Sequence, residues 1–264
     1  MKIQIDTLAY TNNLRWLPVR HKLMLATTLF VITYFSHPTV QILIALWMSI
    51  WIVVYARIPI KTYSRLIYVA FLFWLTSVPA LAFNAVDISN LASIQADLLT
   101  GFKIGSYYIY ISHKGIIQVV TILTRAASAL SCLYFIMLTV PFVELLQTLR
   151  KLGFPQLLTE LLLLMYRFIF VLLNTASELW TAQQARFGYR TFNSSMKSLA
   201  LLIGQLFQRT IENYRQISLS VESRGFNGEF RVWYPERYKP SKRYSLEAIF
   251  GCTLLILLEI FHNA

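Results

Sequence analysis

Charge is what this chain has least of. Of its 264 residues, 14% are Asp, Glu, Lys or Arg, and the 12 acids are outnumbered two to one by 24 bases. An ordinary soluble domain carries roughly 25% charged residues. With 56% hydrophobic residues, 15% aromatics and a mean hydropathy of +0.54, water alone cannot solvate it. These proportions describe an integral membrane protein, with lipid as part of its solvent.

Other absences remove whole classes of chemistry. Cysteine occurs twice, at Cys132 and Cys252, inside apolar segments and with no CxxC or Cys/His neighbour, so both read as core thiols. The four histidines, His21, His37, His113 and His262, are scattered, and none has a ligand neighbour at helical spacing. No metal site is expected in the chain. There is no P-loop, GxGxxG, HExxH or GxSxG, which excludes an ATPase role for this polypeptide. A membrane-embedded lipid or isoprenoid transferase needs acids clustered near the membrane face. Here Asp87 and Asp97 stand alone on one side and the Glu residues of the second half are dispersed. A plain channel would line several spans with polar groups, and only Arg125 qualifies. A cleavable signal is not expected either, since Asp6, Asn12, Asn13 and Arg15 interrupt the N-terminus.

What is present is a set of apolar runs. Spans are predicted at about 22–36, 39–56, 66–86, 116–140 and 244–261. The first two are separated at "SHPT", because Pro38 disfavours helix at His37 and one helix across both would exceed a hydrocarbon core of about 30 Å. The net charge of +12 flanks these runs, so it reads as membrane topology and not as nucleic-acid binding. The N-terminus, the basic loop 57–65 and the region 141–243 fall on the cytoplasmic side. The neutral loop 84–115 and the C-terminus fall outside. Within that loop, "SYYIYIS" fits a short strand or an interfacial segment. Three parts follow: a membrane domain over 1–140, a cytoplasmic domain over 141–243 and a last span over 244–264.

The 141–243 region holds fourteen Lys/Arg against seven Glu. "TVPFVELLQTLRKLG" (139–153) carries a helix signal: Thr139 as cap, Pro141 in the first turn, Glu144 at the positive end, and Leu145, Leu146, Leu149 and Leu152 on one face. A longer helix is predicted over about 156–187. Its run 161–173 is too short to span and contains Arg167, so it is expected to pack against other helices. A third helix over about 196–224 has an apolar stripe at Met196, Leu199, Ile203, Leu206, Thr210, Ile217 and Val221.

The last two helices end alike. "AQQARFGYR" (182–190) and "VESRGFNG" (221–228) place a small residue before an arginine at Ala185-Arg186-Phe187 and Ser223-Arg224-Gly225. An arginine there is favoured by the helix dipole, which is the plain structural reading. The functional reading is a pair of docking pins, each guanidinium offering a planar fork to a partner carboxylate.

These motifs, with "LTVPFVELLQTLRKLGFPQLLTELLLLMYRFIFVLL" and the N-terminal "IDTLAYTNNLRWLPVRHKL", closely resemble the transmembrane T component of energy-coupling-factor (ECF) transporters, in its CbiQ branch. The resemblance implies an all-α membrane protein of about five spans with long amphipathic coupling helices between the fourth and fifth. It implies two copies of a CbiO-like cytoplasmic ABC ATPase that hold ATP and magnesium, and a separate CbiM-like membrane subunit that captures Co²⁺. A small CbiN-like accessory membrane subunit is a further candidate. No cofactor is expected in this chain and no nucleic-acid partner. In this family the small-Arg-small ends insert into grooves on the ATPases, which assigns that role to Arg186 and Arg224. Phe187 departs from the usual Ala-Arg-Gly. Nickel or a vitamin are the alternative substrates. Arg125, a charge inside a span, is expected to pair within the bundle, the other reading being contact with substrate.

Overall fold

Proline sets the lengths of the first helices in the computed structural model, which describes residues 4–87, 98–104, 107–225, 238 and 241–263. After α1 (Gln4–Thr11), α2 (Val19–Phe35) starts behind Pro18, and α3 (Pro38–Ile50) carries Pro38 at its first position, where a missing N–H costs nothing. A π-turn, Trp51–Tyr55, ends α3 against Ala56. The chain continues through α4 (Ile60–Ala82), β1 (Phe83–Asp87), β2 (Leu98–Ile104), β3 (Tyr107–Ser112) and α5 (His113–Thr139). Then come α6 (Phe142–Lys151), α7 (Gln156–Ala185), α8 (Phe192–Glu222) and α9 (Lys242–Asn263).

The architecture is that of a helical membrane protein. A three-stranded antiparallel sheet of order β1-β3-β2 is inserted between α4 and α5, with Phe83 opposite Ile111 and Phe102 opposite Ile109. Of the two readings open at "SYYIYIS", the strand is the one found. Residues 88–97 and 105–106 of the expected loop 84–115, like 226–237 and 239–240 of the basic region, lie outside the described residues.

Four described helices are long and apolar enough to cross a membrane: Pro38–Tyr55, Gly115–Thr139, Gln156–Ala185 and Lys242–Phe261. Three of them correspond to expected spans. The expected span at 22–36 is the 17-residue α2, short and with Lys22 inside it. The span expected at 66–86 begins earlier, at Ile60, taking in Lys61 and Arg65. Side chains beyond Pro79 lie outside the described residues. The fourth helix, α7, corrects the sequence reading in one respect, the length of its apolar run. Leu157 and Leu158 extend its apolar run, and the unbroken 30-residue helix is as hydropathic as the others. It is not packed as expected, since its buried residues are Thr159 and Leu179 while Leu161, Met165 and Ile169 are exposed.

The described residues divide into two compact units, one within Gln4–Phe142 and Arg237–Ala264, the other within Val143–Glu236. The first has a core of Leu29, Ile44, Met48, Trp51, Ile52, Phe135 and Leu138. Several polar groups inside it are answered, although Asn12 Oδ1 and Trp51 Nε1 are buried without a hydrogen-bond partner among the described residues. Gln41, fully buried, donates from Nε2 to the Thr33 and Ser36 carbonyls at 3.2 and 2.8 Å and accepts from Thr124 Oγ1 at 2.7 Å. The end of α5 is closed from α1 and α2: Lys22 Nζ donates to the Thr139 carbonyl at 3.0 Å, and Asn12 Nδ2 reaches the Leu138 and Thr139 carbonyls at 3.4 Å. A cation at a helix C-terminus meets the negative end of the dipole. Glu259 accepts from His37 N at 3.1 Å, tying α9 to the start of α3. Gly251 lets α9 lie against Trp47, where a Cβ has no room.

Thr139 does not cap α6. It is the last residue of α5, its hydroxyl donating to the Phe135 carbonyl at 2.6 Å, so the α6 signal begins only at Pro141.

Candidate functional site

The second unit is built around α7, α8 and the turn between them. The turn is fixed from both sides. The Gly188 carbonyl accepts from Ser194 Oγ at 2.9 Å and Ser198 Oγ at 2.8 Å, and Thr191 caps α8 by accepting from the Ser194 amide. A Cβ at Gly188 would sit 2.6 Å from Ser198 Oγ and 3.0 Å from the Gln183 carbonyl, so glycine is required here for close approach. Trp180 stacks on Tyr189 with centroids 4.2 Å apart, and Tyr189 Oη donates to Gln183 Oε1 at 2.6 Å. Further along, Arg209 pairs with Glu178 across the two helices at 3.6 Å, both side chains at least half exposed, a contact worth little by itself.

The buried face of α8 is not the one expected. Ser198 and Leu202 are buried, whereas Met196, Leu199 and Ile203 are exposed. The small Ser198, bonded to Gly188, sets the approach to α7, and that rotates the contact line by one residue in the first half of α8. Leu206, Thr210, Ile217 and Val221 are half-buried, so there the stripe stands.

Both arginine motifs occupy the same place in the same turn. At the end of α7, the Arg186 amide bonds to the Gln183 carbonyl, Phe187 to Gln184, and Gly188 to Gln183, with Phe187 left-handed at φ 56°. At the end of α8, Arg224 bonds to Val221 and Gly225 to Glu222, with Gly225 left-handed at φ 71°. Each sequence therefore gives a small residue, then an arginine, then a left-handed residue, although the arginine is the cap of α7 while Ser223 is the cap of α8; such a turn satisfies orphan helix carbonyls. Phe187 keeps the backbone that glycine usually adopts, while its ring is 77% exposed.

α6 provides an internal control. It ends in the same turn, with Gly153 at φ 96° and the Phe154 amide bonded to the Leu149 carbonyl. Its cap residue is Leu152, so the turn itself does not require arginine. Arg186 and Arg224 are exposed, and neither pairs with a carboxylate among the described residues. Both belong to the second unit, at opposite ends of the 31-residue α8. At 1.5 Å per residue they stand about 46 Å apart along it.

Arg125 stands apart from this pair. Contrary to expectation it pairs with no carboxylate among the described residues: it is exposed on α5, its guanidinium 5.6 Å from the Tyr34 ring centroid. An interior α5 position such as Ser128 is taken by a small residue, which leaves the long side chain the outer face. Among the described residues no group of three or more His, Cys, Asp or Glu is placed to hold a metal ion. The signal missed in the sequence was the Gly188–Ser198 approach, which pairs two small residues ten positions apart.

A family model described as "Cobalt transport protein" CbiQ matches residues 11–234. The cobalt transport protein CbiQ of Salmonella typhimurium is 29% identical over 231 residues, covering 86% of this chain and 99% of that protein. CbiQ of Rhodobacter capsulatus is 32% identical over 130 residues, 49% of this chain and 53% of the relative. A putative fused cobalt transport protein, CbiMQ, of Methanocorpusculum labreanum is 28% identical over 225 residues, 85% of this chain and 36% of the fused protein.

Proposed function

The chain belongs to the CbiQ family of cobalt transport proteins, and from that premise we propose that it is the energy-coupling T component of an ECF-type importer for cobalt. It is a multi-pass membrane protein, and the CbiQ relatives of Salmonella typhimurium and Rhodobacter capsulatus are named as transport proteins. In this reading it catalyses nothing. Two CbiO-like ATPases bind and hydrolyse ATP with magnesium, and a CbiM-like membrane subunit, with a CbiN-like accessory, binds Co²⁺. The fused CbiMQ relative supports the association with a CbiM-like partner, since its printed name joins the two in one polypeptide. The protein sits in the cell (inner) membrane with its N-terminus and the 141–243 region in the cytoplasm, where α7 turns its exposed apolar side chains to partners instead of crossing the bilayer, and with its C-terminus outside. That orientation keeps the basic segments on one side.

One observation carries the reading: two exposed arginines, each bonded three residues back and each directly before a left-handed residue, stand at opposite ends of one continuous helix. Two equal ends at that distance suit two equal partners. Ala185 and Ser223 leave space for a groove wall, and each guanidinium presents its fork to an acid in the groove. When the ATPases close on ATP their grooves move, and a rigid α8 carries that displacement along its length. Any coupling requires such a differential contact with the two states of the ATPase dimer.

The Arg186→Glu/Arg224→Glu double variant tests this. Affinity purification from membranes is expected to recover the ATPases with the wild type and not with the variant, and cobalt uptake is expected to fall to background. Wild-type ATPase recovery by the variant would reduce the arginines to helix-end stabilisers.

A further inference from the structure

Arg125 lies ten residues after Gly115 and fourteen before Thr139 in a candidate span of 25 residues. Along the axis that is about 15 Å from one end and about 21 Å from the other, near the middle of a core about 30 Å thick. Its side chain faces outward. Its guanidinium lies 5.6 Å from the centroid of the Tyr34 ring, and Tyr34 is itself 65% exposed. A cation over a ring is a weak substitute for the water or ion partner that an arginine at a helix centre in lipid has lost. Among the described residues no side chain accepts from the five N–H donors of the guanidinium.

The surroundings have the shape of a receiving surface. Phe30, Thr33 and Tyr34 from α2 and Ile122, Ala126 and Ala129 from α5 form, with Arg125, an open cleft of about 300 Å³. Ala126 and Ala129, three residues apart, lie on one face of α5 and let another helix come close. Lipid phosphates lie at the interface, far along the axis from Arg125. A carboxylate on a neighbouring transmembrane helix is the group that reaches this depth and accepts from the fork in a bidentate pair.

We propose that this cleft receives a transmembrane helix of the substrate-binding membrane subunit, which brings a buried carboxylate to Arg125. The proposal rests on the T-component reading above, and it makes Arg125 an interface residue and not a substrate ligand.

The test uses the complete complex purified from membranes. Arg125→Met is expected to keep the ATPases and lose the substrate-binding subunit by about tenfold or more per ATPase. Arg125→Lys, which keeps the charge and loses the fork, is expected to recover an intermediate amount. Wild-type recovery of that subunit by Arg125→Met overturns the proposal. A second measurement does not depend on removing the arginine: p-benzoylphenylalanine in place of Ile122 is expected to cross-link to the substrate-binding subunit under light. Cross-links to lipid alone, or none, overturn the docking site while the T-component reading stands. A wild-type preparation that carries no membrane partner defeats that reading instead, and the proposal with it.

Discussion

The two units of this chain are held by different means. In Gln4–Phe142 with the terminal helix, sixteen buried hydrophobic residues form one cluster around Trp51, and Gln41, Lys22 Nζ and Asn12 Nδ2 find partners inside it. In the described part of Val143–Glu236 the buried residues are Glu144, Leu146, Thr159, Leu179, Ser198 and Leu202. Large side chains there point outward, Phe192 at 82% and Phe207 at 68% exposure. A membrane bundle keeps an interior of its own even where lipid covers its outside. A helix hairpin with so few buried side chains is shaped by specific turn contacts, and its apolar faces are available to partners.

The largest test of that contrast compares one truncation in each unit. Trp51, 2% exposed, packs edge-on against Phe135 with centroids 6.0 Å apart and tilts against Tyr244 at 5.9 Å. Trp51→Ala is expected to cost about 3–5 kcal/mol, seen as a large fall in the thermal midpoint of the purified chain in detergent. Phe207→Ala is expected to stay within about 0.5 kcal/mol in the same assay. Comparable losses from both would erase the distinction.

A smaller effect is expected at Lys22, whose ammonium is 1% exposed and caps α5. Lys22→Met keeps the stem and removes the charge-assisted bond to Thr139, a loss of about 1.5–3 kcal/mol. Its signature is selective: faster amide exchange at the end of α5, with the α7–α8 turn unaffected. Gly188→Val reverses the pattern. The added Cβ meets Ser198 Oγ and the Gln183 carbonyl, so α8 has to shift, at about 1–3 kcal/mol. Exchange is expected to rise at Gly188 and in the first turn of α8, and the thermal midpoint of the membrane unit is expected to stay put.

How far the sequence could be read follows the same division. The membrane unit's helices were legible where hydropathy and proline agree, as at Pro38 and along α5, because both act within a few residues. The length of the apolar run in α7 was underestimated because thirteen residues were weighed by themselves, while Leu157 and Leu158 lengthen it in the folded helix. The first half of the α8 stripe was assigned to the wrong residues for another reason. Periodicity ranks Met196 and Ile203 above Ser198, but a hydroxyl bonded to the Gly188 carbonyl decides which face turns inward. The arginine pair was visible as spacing, whereas its shared hydrogen-bond register could be seen only in the backbone. Arg125 was legible as a charge at depth; the face it takes depends on which neighbouring side chains are small.

The smallest effect expected separates the backbone of the first motif from its side chain. Phe187 and Gly225 take the same left-handed position, and an L-residue with a Cβ pays about 1–2 kcal/mol there. Phe187→Gly removes that strain, and with the ring 77% exposed it sacrifices little packing. Glycine's greater freedom in the unfolded chain takes back about 0.5–1 kcal/mol. The net expectation is a gain of at most about 1 kcal/mol, read as slower exchange of the Gly188 amide that closes the turn on Gln183. ATPase recovery is expected to be unchanged, because Arg186 keeps its cap position. If recovery falls while the turn is better protected, the ring makes a contact of its own with the partner. The departure from glycine at Phe187 would then mark the first helix end as differing from the second in what it touches, although the two share one backbone.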